Sequence, residues 1–196
     1  MTDEGQRPSV RVIQSGFIVR DGPKVLDASS SVTMVSSAGR RLVVDTGVLQ
    51  SLHKISDSLK ALGVDPGSVE YVVNTHLHVD HVGCNHLFGS ARLVAHGLED
   101  PPAGTMRIDD RRSILPGVEV VPTPGHSAGS LSVFVEAERR YAIVGDAIPT
   151  RANYEQHLPP FVNINKELAL KSMDMILGWA DIVIPGHDSQ FEVTAK

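Results

Sequence analysis

Four side chains that could bind a metal ion lie within six consecutive residues of the sequence. They are three histidines and one aspartate: His76, His78, Asp80 and His81. Imidazoles at this density repel one another once protonated, and they are poor core residues. A divalent cation that takes nitrogen and oxygen ligands is the simplest reason to keep them together. The stretch therefore predicts a metal site.

Further ligand-type side chains follow the same local pattern, in which an apolar, β-branched run ends and a polar residue follows. The first stretch comes after residues 69–74, which read as a buried strand. In three later places a strand-like run ends in glycine and is followed at once by His126, Asp146 or His187. Glycine lets the backbone turn tightly, so that the next side chain points into a shared cleft. Four strand ends are thus predicted to build one centre.

These residues, in this order, resemble the metallo-β-lactamase superfamily. The resemblance covers residues 16–192 and includes a strand-end signature, Val43-Val44-Asp45-Thr46-Gly47. It implies an α/β (α+β) fold, the four-layer αββα sandwich, in a single domain spanning residues 1–196. Within the superfamily, residues 42–47 and 180–187 are most similar to the group typified by metallo-β-lactamase-domain-containing protein 1.

The resemblance also implies the role of each ligand in a dinuclear centre. Three histidines are implied to hold the first metal: His76, His78 and His126. The second metal is implied to be held by Asp80, His81 and His187. Asp146 is implied to bridge the two metals, and Asp45 to lie beneath the site and orient a ligand without binding metal.

The implied reaction is metal-assisted hydrolysis of an ester, lactone or thioester in a small molecule. A hydroxide bridging the two metals would attack the substrate, because metals lower the pKa of water from about 15.7 toward about 7. Asp80 and Asp146 are the catalytic candidates, with Asp80 also carrying the proton. Zinc is predicted because the site mixes imidazole and carboxylate ligands, while iron and manganese stay open.

Two alternative functions stay open. An animal protein of the resembling group is associated with RNA cleavage, which raises an endoribonuclease or phosphodiesterase. The net charge of −5 disfavours RNA as a partner, because nucleic-acid affinity depends on neutralising phosphates. Persulfide dioxygenases use this fold with one iron at the positions of His76, His126 and Asp146.

The substrate-binding residues are the least defined by the sequence. Homoserine-lactone lactonases typically place a catalytic tyrosine three residues after the bridging aspartate, where this chain has Pro149. Arg151 and Tyr154 follow Asp146 closely and are predicted to contact substrate. His96 ends a predicted strand on the same side and is the third candidate.

Composition agrees with a globular protein that acts on small molecules. The 196 residues are 41% hydrophobic and 21% charged. No apolar run approaches the roughly 18 residues that cross a bilayer, and the N-terminus lacks a signal-peptide core. A single cysteine, Cys84, cannot form an internal disulfide. We therefore expect a cytoplasmic protein without a membrane partner, and the short chain and the resemblance favour a homodimer.

Hydrophobic periodicity predicts the elements around these loops. Successive strands of one sheet are predicted at residues 10–19, 31–36 and 41–45. Helices are predicted at residues 49–62 and 166–179, and a short one from Val79. Prolines and weak periodicity predict loops at residues 99–110 and 151–165.

Overall fold

Two six-stranded β-sheets and one separate β-hairpin form the framework of the protein. The computed structural model describes residues 7–194. The first sheet contains, in spatial order, β1 (Ser9–Gln14), β4 (Val32–Ser37), β5 (Arg40–Val44), β6 (Tyr71–Val73), β7 (Arg92–Ala95) and β8 (Met106–Arg107). The second contains β14 (Phe191–Glu192), β13 (Ile182–Pro185), β12 (Arg140–Gly145), β11 (Leu131–Glu136), β10 (Val118–Pro122) and β9 (Arg112–Leu115). The hairpin consists of β2 (Phe17–Asp21) and β3 (Lys24–Ser29).

The main core lies between the two sheets. Leu42 and Val73 of the first sheet belong to one buried cluster with Val120, Val133 and Ile184 of the second. Strands covered on both faces are apolar almost throughout, which is why β11 and β13 are nearly continuous runs of buried residues. The alternation of burial expected for a half-exposed strand is therefore missing from them.

Four α-helices lie around the sheets, and the two longest cover their outer faces. They are α1 (Leu52–Ala61), α2 (Val79–Val82), α3 (Arg151–Gln156) and α4 (Lys166–Trp179). Ile55 and Leu59, one helical turn apart, bury α1 against the first sheet, while Met173 and Ile176 bury α4 against the second. Helix, sheet, sheet and helix form the predicted αββα sandwich. Among residues 7–194, no helix is both long enough and apolar enough for a membrane crossing.

Strand direction determines where the polar loops meet. Strands β5, β6 and β7 run parallel to one another, and so do β12 and β13. Strand β10 points the same way as β12, because each is antiparallel to β11. The loops that leave the carboxyl ends of these strands therefore gather at one edge of the sandwich, as is common in α/β proteins.

The strand predicted at residues 10–19 is in fact two strands in different sheets. Strand β1 pairs with β4, whereas β2 leaves the first sheet and pairs with β3 alone. The chain bends between them at Gly16, whose backbone N–H donates to Ser31 Oγ at 3.0 Å. Local hydrophobicity continues across the bend, so the periodicity did not show it.

The predicted loop at residues 151–165 was wrong in its first half, which is the helix α3. Tyr154 of this helix is buried and stacks on Phe191 with the ring centroids 4.8 Å apart. One tertiary contact thus stabilises a helix that is too short to show apolar periodicity. The predicted loop at residues 99–110 also contains the two-residue strand β8.

Replacing Gly125 with alanine should destabilise the fold by at least about 2 kcal/mol, because of overpacking and a strained backbone. Gly125 has φ of 140°, and a Cβ there would lie 2.3 Å from Ala169 Cα of α4. Chemical denaturation measures the change. Gly178→Ala is the matched control, since a Cβ at that position meets nothing within 4 Å. It should be neutral or stabilising, and equal midpoints for the two variants would contradict the assigned packing.

Candidate metal centre

Three histidine nitrogens face one another at the first of two adjacent groups of ligand-type atoms. His76 Nε2 lies 2.9 Å from His78 Nδ1, and His126 Nε2 lies 3.2 and 3.1 Å from these two atoms. Nitrogens of a tetrahedral zinc site are separated by about 3.3 Å, given Zn–N bonds of about 2.0–2.1 Å. The spacing matches that of ligands around one cation within a few tenths of an ångström. We call this set the three-histidine group.

A second group lies beside the first and consists of Asp80, His81 and His187. His187 Nε2 lies 3.5 Å from Asp80 Oδ2. Asp146 stands between the two groups: its Oδ1 is 3.4 Å from His81 Nε2 and 3.2 Å from His187 Nε2, while its Oδ2 is 3.6 Å from His126 Nε2. One carboxylate thus faces both groups, and all seven predicted ligands are brought together. We call the second set the Asp80 group.

The donor atoms fit divalent cations, because two of them lack any other partner. His81 Nε2 and Asp146 Oδ1 are buried and make no hydrogen bond to a described group. Buried polar atoms are nearly always paired, and an unpaired one costs about 1–3 kcal/mol. A cation between the imidazole and the carboxylate would satisfy both atoms. Imidazole and carboxylate ligands suit zinc and other divalent transition metals.

Backbone carbonyls hold the outer ring nitrogens of two of the histidines and set their tautomers. His126 Nδ1 donates to the carbonyl oxygen of Val162 at 2.7 Å, and His187 Nδ1 donates to that of Ser29 at 3.1 Å. Each bond keeps the proton on Nδ1, so the lone pair of Nε2 faces the centre. The segments that contain Ser29 and Val162 therefore help to aim the ligands.

Asp45 lies beneath the centre and outside both groups. Its Oδ1 accepts from Thr75 N at 2.8 Å, and its Oδ2 accepts from Thr75 Oγ1 at 2.7 Å and from His81 Nδ1 at 2.8 Å. The residue has φ of 53°, a conformation that non-glycine residues seldom adopt. The bond to Nδ1 leaves His81 Nε2 directed at the centre, which is the orienting role predicted for Asp45.

Burial and neighbouring charges set the protonation of the histidines. Burial holds the pKa of His76 and His126 below the ordinary value. Burial would also lower the pKa of His81 and His187, but nearby carboxylates outweigh it and raise both. For His81 these are Asp45 and Asp146. Burial would raise the pKa of Asp146, yet His187 and His81 hold it well below its usual range. The pKa values of His81 and His187 are therefore shifted in the opposite direction to those of His76 and His126.

Both groups open into a cavity of about 440 Å³. Its walls come from the β2–β3 hairpin, from residues 160–162 and from five of the ligands: His78, Asp80, His126, Asp146 and His187. Most of the other lining side chains are apolar, including Ile18, Leu26 and Phe161. Arg20 reaches from the hairpin to the opposite wall, with its guanidinium carbon 5.3 Å from the centroid of the Phe161 ring. The hairpin and residues 160–162 thus form the mouth of the cavity.

The structure does not bring the three predicted substrate contacts to the cavity wall. Tyr154 is buried in α3, and its hydroxyl bonds to Thr194. The guanidinium carbon of Arg151 lies 5.6 Å from the centroid of the Phe191 ring. His96 accepts from Leu98 N at 3.0 Å and caps a 3₁₀ turn. Arg151 and Tyr154 are close to Asp146 in sequence, but both side chains of α3 pack against Phe191 of β14.

The contribution of the β2–β3 hairpin to the cavity mouth was not predicted from the sequence. The hairpin strands carry exposed apolar side chains, such as Val25 and Leu26, which are about half exposed. Phe161 and Val162, in a region predicted as a loop, are exposed to a similar degree. Apolar residues in a short hairpin and in a proline-containing loop are a signal that could have pointed to a ligand-binding rim.

Replacing Asp45 with asparagine should weaken metal binding about 10- to 100-fold, as removing partners of metal ligands generally does. The amide nitrogen cannot accept the proton on His81 Nδ1, so the ring loses the bond that fixes its tautomer. Competition with a chelator measures the affinity. Asp57→Asn, an exposed change on α1, is the control. Equal affinities for the two variants would show that Asp45 does not orient the ligand.

Known proteins agree with this geometry. A family model described as the metallo-beta-lactamase superfamily matches residues 26–111. Metallo-beta-lactamase domain-containing protein 1 of Xenopus laevis is 32% identical over 199 residues, covering 96% of this chain and 83% of that protein. A probable metallo-hydrolase of Methanocaldococcus jannaschii is 31% identical over 183 residues, covering 91% and 86%.

More distant relatives extend the comparison. An N-acyl homoserine lactonase of Bacillus thuringiensis is 27% identical over 202 residues, covering 90% of this chain and 80% of that protein. The crystal structure of a Thermotoga maritima protein described as a metallo-beta-lactamase superposes with a TM-score of 0.81 at 21% identity, covering 95% of this chain and 99% of that one. The sandwich, the ligand positions and the identity to two full-length relatives lead to one conclusion: the chain belongs to the metallo-β-lactamase superfamily.

Proposed function

We propose that the protein is a hydrolase that uses two divalent metal ions, best fitted by zinc, to cleave an ester, lactone or thioester bond in a small molecule. The observation that carries the proposal is the arrangement around Asp146. Two groups of nitrogen and oxygen atoms share this carboxylate and open into one largely apolar cavity. Two of the relatives, one named a probable metallo-hydrolase and one named an N-acyl homoserine lactonase, support hydrolysis as the class of reaction.

Each group would hold one cation, and the chain supplies the ligands and a proton acceptor. When bound, the cations polarise a carbonyl oxygen and make a water acidic enough to deprotonate near neutral pH. Asp146 would hold the cations together, since its two oxygens face different groups. Of the two ligand carboxylates, Asp80 is more exposed than Asp146, at 22% against 12% of the side chain. It is therefore the better placed to take a proton from water and pass it to the leaving group.

The cavity favours a substrate that is partly apolar and carries no large negative charge. Arg20 is the one lysine or arginine among the described residues that line it, and Asp27, Asp80 and Asp146 line it as well. Beyond the metal ligands, the wall carries one arginine, Arg20, and one carboxylate, Asp27, so it offers no run of cations for a polyanion such as RNA. An apolar portion of an ester or lactone would instead cover Leu26, Phe161 and Val162, which are exposed at the mouth.

A single-iron oxygenase is less well supported. Such a site needs only His76, His126 and Asp146. In this chain Asp80, His81 and His187 also converge, and His81 and His187 are almost fully buried. Burying two further imidazoles beside a carboxylate is costly unless they serve a second cation.

His126→Ala should lower metal content from two equivalents and reduce ester or lactone turnover by more than about 100-fold, because it removes a ligand rather than a partner of one. Elemental analysis of the purified protein and kcat/KM on a panel of lactones, thioesters and aryl esters measure the two effects. His53→Ala on the exposed face of α1 is the control. Full turnover by His126→Ala would overturn the proposal, and so would one iron per chain in the unaltered protein.

Metal affinity should depend more steeply on pH in the Asp80 group than in the three-histidine group. Acidic neighbours raise the pKa of His81 and His187, whereas burial lowers the pKa of His76 and His126, so protons compete more strongly for the first pair of rings. Each displaced proton weakens affinity about tenfold per pH unit below the pKa. Zinc titrations between pH 6 and pH 8 give the slopes. Equal slopes for the two binding steps would contradict this assignment.

A further inference from the structure

Glu99 lies between the two loops that carry the three-histidine group. It ends the 3₁₀ turn Gly97–Glu99, which follows β7. Its Oε2 accepts from Leu77 N at 3.2 Å, between His76 and His78. Its Oε1 accepts from Ser127 Oγ at 2.7 Å and from Gly129 N at 2.9 Å. One carboxylate thus joins the loop after β6 in the first sheet to the loop after β10 in the second.

The loop after β10 is fitted closely to this carboxylate. A Cβ at Gly129 would lie 2.8 Å from both Cγ and Oε1 of Glu99. Ser127 Oγ also lies 2.7 Å from Ser130 Oγ, so the hydroxyl that bonds to Glu99 is itself held in place. The glycine, the two serines and the acid form one continuous contact directly after His126.

The turn that presents Glu99 is itself restrained. His96 Nδ1 accepts from Leu98 N at 3.0 Å, and Asp109 Oδ1 accepts from Gly97 N at 2.8 Å. Asp100 then closes the turn in the left-handed conformation, with φ of 51°. The carboxylate is therefore positioned before any ligand is bound, and His96 supports it from the position where the sequence suggested a substrate contact.

We propose that Glu99 is a positioning residue that sets the separation of His76 and His78 from His126, and thereby the affinity and geometry of the three-histidine group. The inference rests on the proposed metal-binding role of these histidines. A backbone hydrogen bond from Leu131 N to Thr75 O, at 2.7 Å, also joins the two segments, but among the described residues Glu99 is the one side chain that accepts from backbone N–H groups of both loops. Length and acceptor oxygens matter for this role, whereas charge alone does not suffice.

Three variants of Glu99 distinguish the bridging of the two loops from an effect of the negative charge alone. Glu99→Asp keeps the charge but is one methylene too short to reach both loops. Glu99→Gln keeps the length and one acceptor oxygen for Ser127 and Gly129, but it presents an N–H group to Leu77 N. Glu99→Ala removes the bridge. Glu70→Gln, at a surface pair with Arg40, is the matched control. The unaltered protein should bind Co²⁺ most tightly at the three-histidine group. Glu99→Gln should bind it less tightly, and Glu99→Asp and Glu99→Ala should be equally the weakest.

The Co²⁺ affinity of the three-histidine group is measured by titration, with the d–d absorption of the bound ion as the signal, and no substrate is needed. In a His187→Ala background the Asp80 group is weakened, so the titration reports the three-histidine group. In a His126→Ala background the three-histidine group is weakened, so the titration reports the Asp80 group. Glu99→Asp should weaken the three-histidine group about 10- to 100-fold and shift its absorption, with the Asp80 group changed less than about twofold. General destabilisation would instead weaken both groups equally.

The outcomes separate this inference from the proposed function. Wild-type affinity in Glu99→Asp, or equal losses at both groups, overturns the positioning role while the hydrolase proposal stands. Ordered losses at the three-histidine group without turnover of any ester or lactone support the positioning role and count against the hydrolase. Failure of the unaltered protein to bind Co²⁺ overturns both.

Discussion

The burial of imidazoles and carboxylates at one edge of two packed sheets is the constraint on which this structure depends. His81 is fully buried between Asp45 and Asp146, and His76, His126 and His187 are almost fully buried around it. Charged groups removed from water are costly unless they are paired or bind cations. Hydrogen bonds offset part of this cost. The outer ring nitrogens of His126 and His187 donate to backbone carbonyls, and Thr75 donates two hydrogen bonds to Asp45. Strand order, loop geometry and the outer helices all serve to bring these groups together.

The sequence predicted the ligand positions because each is a local feature. A buried strand, a glycine and a polar residue occupy adjacent positions, so His126, Asp146 and His187 could be identified without knowing what surrounds them. The helix predicted at residues 166–179 matches α4, because Asn165 caps its first turn and its apolar residues repeat at helical spacing. The layer order followed from the resemblance to a family, and it is confirmed by the fold.

Elements that depend on distant contacts could not be predicted in the same way. Helix α3 forms around Tyr154, whose partners are Phe191 and Thr194 about 40 residues away. Strand β1 pairs with β4, whereas β2 pairs with β3 in a separate hairpin, and the residues near Gly16 do not indicate this change of partner. Glu99 contacts Leu77 and Ser127 across two sheets, so nothing in its own neighbourhood marked it. The residues that line the cavity could not be predicted for the same reason, because its walls come from segments that are far apart in the chain.

The division of the ligands between the two sheets has a consequence for the life of the protein in a cell. His76, His78, Asp80 and His81 follow a strand of one sheet, whereas His126, Asp146 and His187 follow strands of the other. A cation held between them would be bound by the native chain and not by the unfolded one, so it would act as a removable cross-link. Each tenfold rise in free metal above the dissociation constant then adds about 1.4 kcal/mol to the free energy of unfolding per ion. The abundance of this protein would accordingly follow the supply of metal to the compartment in which it folds.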